Sequence, residues 1–225
     1  MKIQNWKTAF RSFYYEHAPE PEDIILDARQ TALLVIDIQN TYLQVPDDRE
    51  EALRWQPFLD RMHNIVIPNT QKLIAECRAR SVEVLFARIA CQTTDGRDRS
   101  LSQRKPGFNN LLLPKDEWAS QLIDALAPIK DEIVVLKTTD SALTGTNLRL
   151  ILNNLGIQHV ICAGIFTDQC VSSTVRSLAD ESFDVVVAHD ACAAATDALH
   201  EHELTVINRI YCKVASTEET LKFIR

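Results

Sequence analysis

Residues 159–182 read HVICAGIFTDQCVSSTVRSLADES, and two different periodicities meet within them. The first seven residues are almost continuously apolar, which is typical of a strand buried on both faces. From Cys170 onward, Val171, Val175 and Leu178 recur at helical spacing. A buried strand that runs into an amphipathic helix is the repeating unit of parallel sheets covered by helices. This stretch therefore predicts an α/β fold.

Five further apolar runs of strand length are rich in valine, isoleucine and leucine. They are residues 31–36, 82–87, 132–136, 184–189 and 211–216. Helical periodicity occupies residues 65–80 and 146–155 and resumes after Thr196. Ser216 and Glu219 form a capping-box pattern that opens a short final helix. The alternation predicts a doubly wound, mainly parallel six-stranded sheet with helices on both faces, a Rossmann-like three-layer sandwich.

The chain divides into a short arm and one domain. Residues 1–30 are polar and aromatic, and we expect them to form an N-terminal arm. Residues 31–225 form the single domain. Four aromatic side chains of the arm would be exposed unless it packs on the domain or on a neighbouring subunit: Trp6, Phe10, Phe13 and Tyr14.

Composition and charge disfavour several classes of function. Apolar residues make up 46% and charged residues 24%, and the net charge is −7. Proteins that bind nucleic acid or anionic membranes normally carry a basic stripe, so the negative net charge disfavours both classes of function. We find neither an apolar run of membrane-span length nor a signal-peptide pattern. The six scattered cysteines suit reduced thiols, so we expect a cytoplasmic protein.

Cofactor and metal patterns are also missing from the sequence. The five glycines form neither a dinucleotide-binding fingerprint nor a P-loop. The six histidines form no H-x-x-x-H pair, and we interpret His200 and His202 as solvated side chains of a helix. We therefore expect no cofactor and no metal.

Three reactive side chains stand where predicted strands end. Asp37 follows the first strand, Lys137 the third, and Cys170 the fourth, at the edge where open α/β sheets bind ligands. Each has an ordinary alternative: a turn residue, a solvated strand end or a packed thiol. Together they offer a nucleophile, a base and a charge that orients the pair. At a helix N-terminus, the Cys170 thiol would favour the thiolate.

Three motifs make the chain similar to a known superfamily. They are ALLVIDIQN (32–40), KTTDSALTGTNL (137–148) and GIFTDQCVSSTVRSLADESFDVVVAHDACAA (164–194). Over residues 30–218 the chain resembles the isochorismatase-like cysteine hydrolases, which include nicotinamidases, N-carbamoylsarcosine amidohydrolases and ureidoacrylate amidohydrolases. The resemblance implies an amidohydrolase that cleaves the C–N bond of a small amide or ureido compound.

The resemblance also implies roles for individual residues. Cys170 would attack the amide carbonyl, Asp37 would carry the thiol proton to the leaving amine, and Lys137 would keep the polar network charged. A cis peptide between Ile165 and Phe166 would turn the Phe166 N–H toward that of Cys170 and build an oxyanion hole. Relatives are commonly dimers or tetramers, which implies a homo-oligomer.

Departures from the family pattern narrow the chemistry. Isochorismatases that cleave a vinyl ether lack the cysteine, so its presence favours amides. Nicotinamidases add an Asp/His metal cluster, and residues 41–55 contain no histidine to build one. Leu143 stands where many relatives have an aromatic residue, and Asn40 ends the first motif. Both are candidate substrate-binding residues.

The connection at residues 89–114 is long enough to be functional or mobile. Its Arg97 and Arg99 are candidates for bidentate capture of a substrate carboxylate, such as that of an N-carbamoyl amino acid. The alternative is a self-paired surface turn around Asp98.

Other functions stay open at this level. A catalytically silent member of the fold would bind a small ligand or a partner through the same cleft, and an isochorismatase-type hydrolase is a further alternative. Cys170 could instead be a redox-sensing thiol if Cys162 or Cys192 lies close to it in space.

Overall fold

Six strands form one sheet in the computed structural model, which describes residues 5–225. They are β1 (Thr31–Ile36), β2 (Glu83–Ile89), β3 (Ile133–Lys137), β4 (His159–Ile165), β5 (Asp184–Ala193) and β6 (Lys213–Ala215). Their order across the sheet is β3-β2-β1-β4-β5-β6, and every neighbouring pair is parallel. The predicted doubly wound sheet is confirmed.

Helices cover both faces of this sheet. They are α1 (Arg49–Arg61), α2 (Ile67–Ala79), α3 (Leu148–Asn154), α4 (Ser172–Asp180), α5 (Asp197–Ile207) and α6 (Thr217–Phe223). Because alternate strand residues point to opposite faces, Leu33 packs with α1, α2 and α6, whereas Leu34 packs with α3, α4 and α5. Two apolar cores enclose the sheet and make the three predicted layers. Within residues 5–225, no helix is long and apolar enough to cross a membrane.

Helices α1 and α2 are parts of one continuous helical rod. The sequence pattern predicted only residues 65–80, whereas the rod begins at Arg49, where the Asp48 side chain accepts the first free N–H groups. A wider π-helical turn, Met62–Val66, joins the two helices. Pro68 is the second residue after that turn, and its ring has no N–H and crowds the carbonyl four residues earlier. The wider turn accommodates this proline without ending the helix.

The direction in which strands are added reverses between β1 and β4. The chain builds β2 and β3 on one side of β1, then returns to build β4, β5 and β6 on the other. Such a switch point leaves a crevice beyond the carboxyl ends of the two central strands, where doubly wound folds bind ligands. Asp37, after β1, and the segment after β4 therefore meet at this crevice.

Gly164 allows β1 and β4 to approach closely beside the crevice. It is paired in register with Ile36 and has a φ of 127°. A Cβ atom at this position would lie 2.0 Å from the carbonyl oxygen of Ile36. Only glycine fits this backbone without moving the neighbouring strand.

The aromatic N-terminal segment packs on the rest of the chain. The Trp6 ring meets the Phe223 ring edge to face, with centroids 5.5 Å apart. Phe10 packs against the core on the α3–α5 face. Phe13 and Tyr14 stay exposed, at 86% and 85%. The division into arm and domain remains a prediction.

Gly164→Ala should strongly destabilise the protein. The added methyl group would collide with the backbone of β1, and an L-residue is strained at this φ. We expect the free energy of unfolding, measured by urea denaturation, to fall by about 3 kcal/mol or more.

Gly156→Ala is the matched control for this substitution. Gly156 also has a positive φ, 69°, but a Cβ there would meet no atom within 4 Å. We expect a loss of about 1–2 kcal/mol from backbone strain alone. Equal losses in the two variants would show that the approach of β1 to β4 makes no difference to stability.

Candidate active site

Asp37 is the residue that immediately follows β1 at the carboxyl edge of the sheet. Its backbone is left-handed, with φ 55°, a conformation that aspartate visits more readily than most residues. Its N–H donates to the carbonyl of Ala87 on β2 at 2.9 Å. The residue is only 1% exposed. The turn therefore directs a carboxylate into the protein, not into solvent.

Lys137 reaches the same point from the last position of β3. Since β2 lies between β3 and β1, its long stem has to cross the end of β2. Its Nζ lies 2.6 Å from Oδ2 of Asp37 and donates to the Thr139 carbonyl at 3.2 Å. The side chain is fully buried, so the alternative of a solvated strand end is wrong.

Cys170 comes from the turn after β4. A π-helical turn, Thr167–Val171, opens the helix that continues as α4, so the helix begins before Cys170 and not at it. The Nζ of Lys137 lies 3.2 Å from Sγ, and the thiol faces Oδ1 of Asp140 at 3.9 Å. An ammonium group and the thiol therefore share one cluster with the carboxylate of Asp37.

Burial controls the protonation of this cluster. It raises the pKa of Asp37, and Lys137 offsets part of that rise. Burial lowers the pKa of Lys137, but the negative charge of Asp37 and the side-chain hydrogen bonds to Asp37 and Cys170 outweigh it and leave this pKa raised. Burial and then the charge of Asp37 raise the pKa of the Cys170 thiol. These directions favour a neutral thiol at Cys170 and a charged ammonium group at Lys137, 2.6 Å from the Asp37 carboxyl group.

The expectation that the helix N-terminus favours a Cys170 thiolate is wrong. Burial, followed by the charge of Asp37 and with a smaller contribution from Asp140, raises the pKa of the Cys170 thiol, although Lys137 lowers it. A neutral thiol needs a base when it attacks a carbonyl. Asp37 is the carboxylate buried in the same cluster.

The turn that carries Cys170 starts at a cis peptide bond between Ile165 and Phe166. The Phe166 carbonyl accepts the N–H groups of Gln169 and Val171, at 3.0 and 3.1 Å. These two bonds close the turn and fix the backbone of Cys170 relative to that of Phe166.

An aromatic cavity of about 370 Å³ lies against Phe166. The ring centroid of Phe166 is 5.3 Å from that of Tyr42 and 5.2 Å from that of Phe58. Among residues 5–225, those that line the cavity are all uncharged: Thr41, Tyr42, Gln44, Pro46, Trp55, Phe58, Leu59, Asn109, Phe166 and Gln169. Phe166 and Gln169 belong to the turn that carries Cys170, so the cavity adjoins the reactive cluster.

A second cavity, of about 520 Å³, shares Asn109 and Gln169 with the first. Its charged lining residues are Asp140, Asp168 and Arg176. Asn109 belongs to the long connection after β2, so that connection reaches both cavities. The reactive cluster is thus bordered by one uncharged and one charged cavity.

Arg97 and Arg99 line neither of these cavities. Arg97 is exposed and pairs with Asp95 at 3.1 Å. Arg99 donates to the carbonyls of Gly96 and Gln103, at 3.0 and 2.9 Å. The two guanidinium groups thus pair with a carboxylate and with backbone carbonyls of their own loop. These contacts favour the self-paired surface turn, and the carboxylate clamp stays an untested prediction.

Asn40 and Leu143 also make structural contacts and line neither cavity. The Asn40 side chain donates to the Trp118 carbonyl at 2.9 Å, and its backbone N–H donates to that of Gln121 at 3.0 Å. Leu143 is 9% exposed and packs in the core beside α3, α4 and α5. The structure brings the three reactive side chains together, but not these two candidates.

Sequence reasoning missed a buried polar chain behind the reactive turn. Thr167 contacts Nδ1 of His200 at 2.7 Å, and Arg61 donates to Nε2 at 2.9 Å. Burial lowers the pKa of His200 to about 3, so the ring is neutral and the expectation of a solvated histidine is wrong. The signal was present, because His200 shares a helical face with Leu204 and Ile207, both buried.

The six cysteines are free thiols, and all are buried. This agrees with the expectation of reduced thiols, which stays a prediction. Within the described part of the chain, residues 5–225, no group of three or more His, Cys, Asp or Glu side chains is arranged to hold a metal ion. The expectation of no metal stays a prediction.

The chain has a doubly wound α/β fold with its reactive side chains at the switch point of the sheet. The family model described as Isochorismatase domain matches residues 31–219. The chain belongs to the isochorismatase family. A curated relative, the ureidoacrylate amidohydrolase RutB of Pantoea ananatis, is 32% identical over 187 residues, which cover 77% of this chain and 73% of the relative.

Solved structures show the same fold. A cysteine hydrolase from Pseudomonas syringae pv. phaseolicola matches with a TM-score of 0.74 and 21% identity, covering 90% of this chain and 97% of that one. N-carbamoylsarcosine amidase from Thermoplasma acidophilum matches with a TM-score of 0.65 and 22% identity, covering 84% and 97%.

Lys137→Met should leave the Asp37 carboxylate buried without its cation. We expect the free energy of unfolding to fall by about 3–5 kcal/mol at pH 8. The pKa of Asp37 in the folded variant rises further above the ordinary 3.8, so the folded state holds a proton that the unfolded state has lost. The stability of the variant then falls as pH rises from the unfolded-state pKa of Asp37 to its higher folded-state pKa. Urea denaturation should therefore show that Lys137→Met lowers the free energy of unfolding, relative to wild type, less near pH 5 than at pH 8.

Asp37→Asn/Lys137→Met removes both charges and serves as the control. It should recover most of the lost stability at pH 8 and flatten the pH dependence. A loss that is the same in the single and double variants at both pH values would rule out a stabilising ion pair.

Proposed function

We propose that this protein is a cysteine-dependent amidohydrolase that cleaves the C–N bond of a small amide, ureido or carbamoyl compound through a thioester. One observation carries the proposal. The Lys137 Nζ atom lies 2.6 Å from Asp37 Oδ2 and 3.2 Å from Cys170 Sγ. A nucleophile, a carboxylate base and a cation are thereby held together at the switch point of the sheet.

In the first step, Cys170 Sγ forms a bond to the carbonyl carbon of the substrate. Since the thiol is neutral at rest, its proton leaves as the bond forms, and Asp37 takes it. Burial raises the pKa of Asp37, which makes it a stronger base than an exposed carboxylate. Lys137 keeps its charge throughout and stabilises the negative charge that moves through the cluster.

The carbonyl π electrons move onto oxygen in the same step. We assign the backbone N–H groups of Phe166 and Cys170, at the two ends of the reactive turn, as the donors to this oxyanion. Collapse of the tetrahedral intermediate breaks the C–N bond. The leaving nitrogen takes the proton from Asp37 and departs as ammonia or an amine, while the acyl group stays on Sγ.

Water completes the cycle by hydrolysing the thioester. Asp37 accepts a proton from the water as its oxygen bonds to the acyl carbon. The C–S bond then breaks, the acid is released, and the proton on Asp37 returns to the sulfur of Cys170. The carboxylate acts as base and then as acid in each half of the reaction.

The uncharged aromatic cavity supports a small organic substrate. Its position against Phe166 places an apolar or planar group next to the turn that carries the nucleophile. Two relatives carry names that describe amide hydrolysis, the ureidoacrylate amidohydrolase and the N-carbamoylsarcosine amidase. Their names support amide chemistry in this chain.

We further propose that the protein works in the cytoplasm as a homo-oligomer, a dimer or tetramer, and that the N-terminal arm packs on the domain or on a neighbouring subunit. The exposed rings of Phe13 and Tyr14 support this arrangement, because solvated aromatic clusters are unfavourable. Light scattering at several concentrations should give a multiple of the 25.5 kDa chain mass. A mass that stays at one chain would contradict it.

Cys170→Ser should reduce turnover by about 10³-fold or more, because the hydroxyl is a poorer nucleophile at neutral pH. The measurement is ammonia release from a panel of small primary amides and ureido compounds. Cys212→Ser is the matched control: its Sγ contacts the Ile207 carbonyl at 3.6 Å, a contact that a serine hydroxyl can keep. This variant should retain wild-type rates.

Ammonia release that survives Cys170→Ser would overturn the mechanism. A wild-type protein that is folded, releases no ammonia from any compound of the panel and binds one of them in a thermal-shift assay would favour the catalytically silent alternative. Release of product from a vinyl ether, but not from amides, would favour the isochorismatase-type alternative.

A further inference from the structure

A second carboxylate faces the candidate nucleophile. Oδ1 of Asp140 lies 3.9 Å from Cys170 Sγ, in addition to Asp37, whose carboxyl group interacts with both Lys137 and the thiol. Unlike Asp37, which is 1% exposed, Asp140 is only half-buried and lines the larger cavity. The mechanism proposed above uses Asp37 and leaves Asp140 without a role.

The loop around Asp140 is anchored on both sides. The Thr139 hydroxyl donates to the carbonyls of Ser141 and Thr144, at 2.9 and 2.8 Å. The Ser141 hydroxyl donates to the hydroxyl of Ser177 on α4 at 2.9 Å. Since α4 continues from the turn that carries Cys170, the carboxylate and the thiol are positioned by the same helix.

The cavity lined by Asp140 has an excess of negative charge. Asp168 is a second carboxylate in its lining. The cation in the lining, Arg176, is paired with Glu203 at 2.8 Å, and Glu203 is only 14% exposed. The guanidinium charge is therefore neutralised before a substrate arrives. Among the lining residues that the structure describes, no unpaired cation is left to receive a substrate carboxylate.

We propose that Asp140 is a specificity-determining residue of this site: it accepts an N–H from the substrate group next to the scissile carbonyl and disfavours a carboxylate there. The inference rests on the proposed function. It identifies the substrates as neutral amides or ureido compounds, whose N–H donors match a carboxylate acceptor. Compounds with an acid close to the scissile bond face repulsion from a fixed like charge.

Two alkylating reagents test the charge selection directly. Iodoacetamide and iodoacetate differ in one group, a neutral amide against a carboxylate, and both transfer their methylene carbon to the same sulfur. The ratio of their rates at Cys170, followed by mass spectrometry at one pH, does not depend on how much thiolate is present. Asp140→Asn should raise the iodoacetate/iodoacetamide ratio by roughly tenfold, because a like charge within a few ångströms is removed.

The same variant should also shift the pH profile of alkylation. The charged groups that face the thiol are Asp37, Lys137 and Asp140, and the negative charge of Asp140 contributes to its raised pKa. Removing that charge should move the profile of Cys170 to lower pH. Asp140→Ser removes the same charge with a smaller side chain and should give the same directions of change.

Asp180→Asn is the matched control. Asp180 ends α4 and is exposed, so this variant removes an equal charge from the other end of the same helix. The reagent ratio should stay at the wild-type value. A tenfold change in both variants, or no change in Asp140→Asn and Asp140→Ser, would overturn the proposal.

Ammonia release provides the second arm. Wild-type protein should prefer the methyl ester of N-carbamoylglycine to N-carbamoylglycine itself in kcat/KM, and Asp140→Asn should reduce that preference by roughly tenfold. An unchanged preference would overturn the role of Asp140. If neither compound nor any other amide is hydrolysed, the proposed function fails, and the alkylation ratio still decides whether Asp140 selects against negative charge.

Discussion

The ion pair between Lys137 and Asp37 is the interaction on which the rest of the site depends. Both side chains are removed from water, and burying either charge alone costs several kcal/mol. The pair forms only if β1, β2 and β3 keep their register, because a slip of one residue would turn a side chain to the other face of the sheet. The switch point then places β4 beside β1, and the turn after β4 brings Cys170 to the same ammonium group.

Two aspartates near one thiol have different environments and therefore suit different tasks. Asp37 is enclosed, has a raised pKa, and is paired with a buried cation, which suits a group that takes and returns a proton. Asp140 borders a cavity and is held by a hydrogen-bonded loop, which suits a group that meets the substrate. Because Arg176 is already paired with Glu203, this cavity does not offer the carboxylate-binding cation that a basic loop suggested from the sequence.

Sequence patterns predicted features that depend on local burial or on neighbouring residues, and failed for features that depend on contacts between distant residues. Continuous apolar runs report burial on both faces, so all six strands could be located. The Ser216–Glu219 capping box was also found, because a cap depends on residues three apart. Helix α1 was missed because only Phe58 and Leu59 are buried along it and Pro57 lies inside it. The roles suggested for Arg97 and Arg99 were not supported, since charge alone does not reveal which carbonyls or carboxylates surround a guanidinium group.

The sequence by itself determined the doubly wound fold and the three strand ends at which a carboxylate, a lysine and a cysteine stand. Those features depend on local hydrophobic periodicity and on residue types, which are visible along the chain. Only the tertiary structure decided that the Cys170 thiol is neutral, that His200 is buried behind the reactive turn, and that Asp140 faces the thiol. The physical reason is that protonation and charge selection depend on burial and on distances of a few ångströms between residues far apart in sequence.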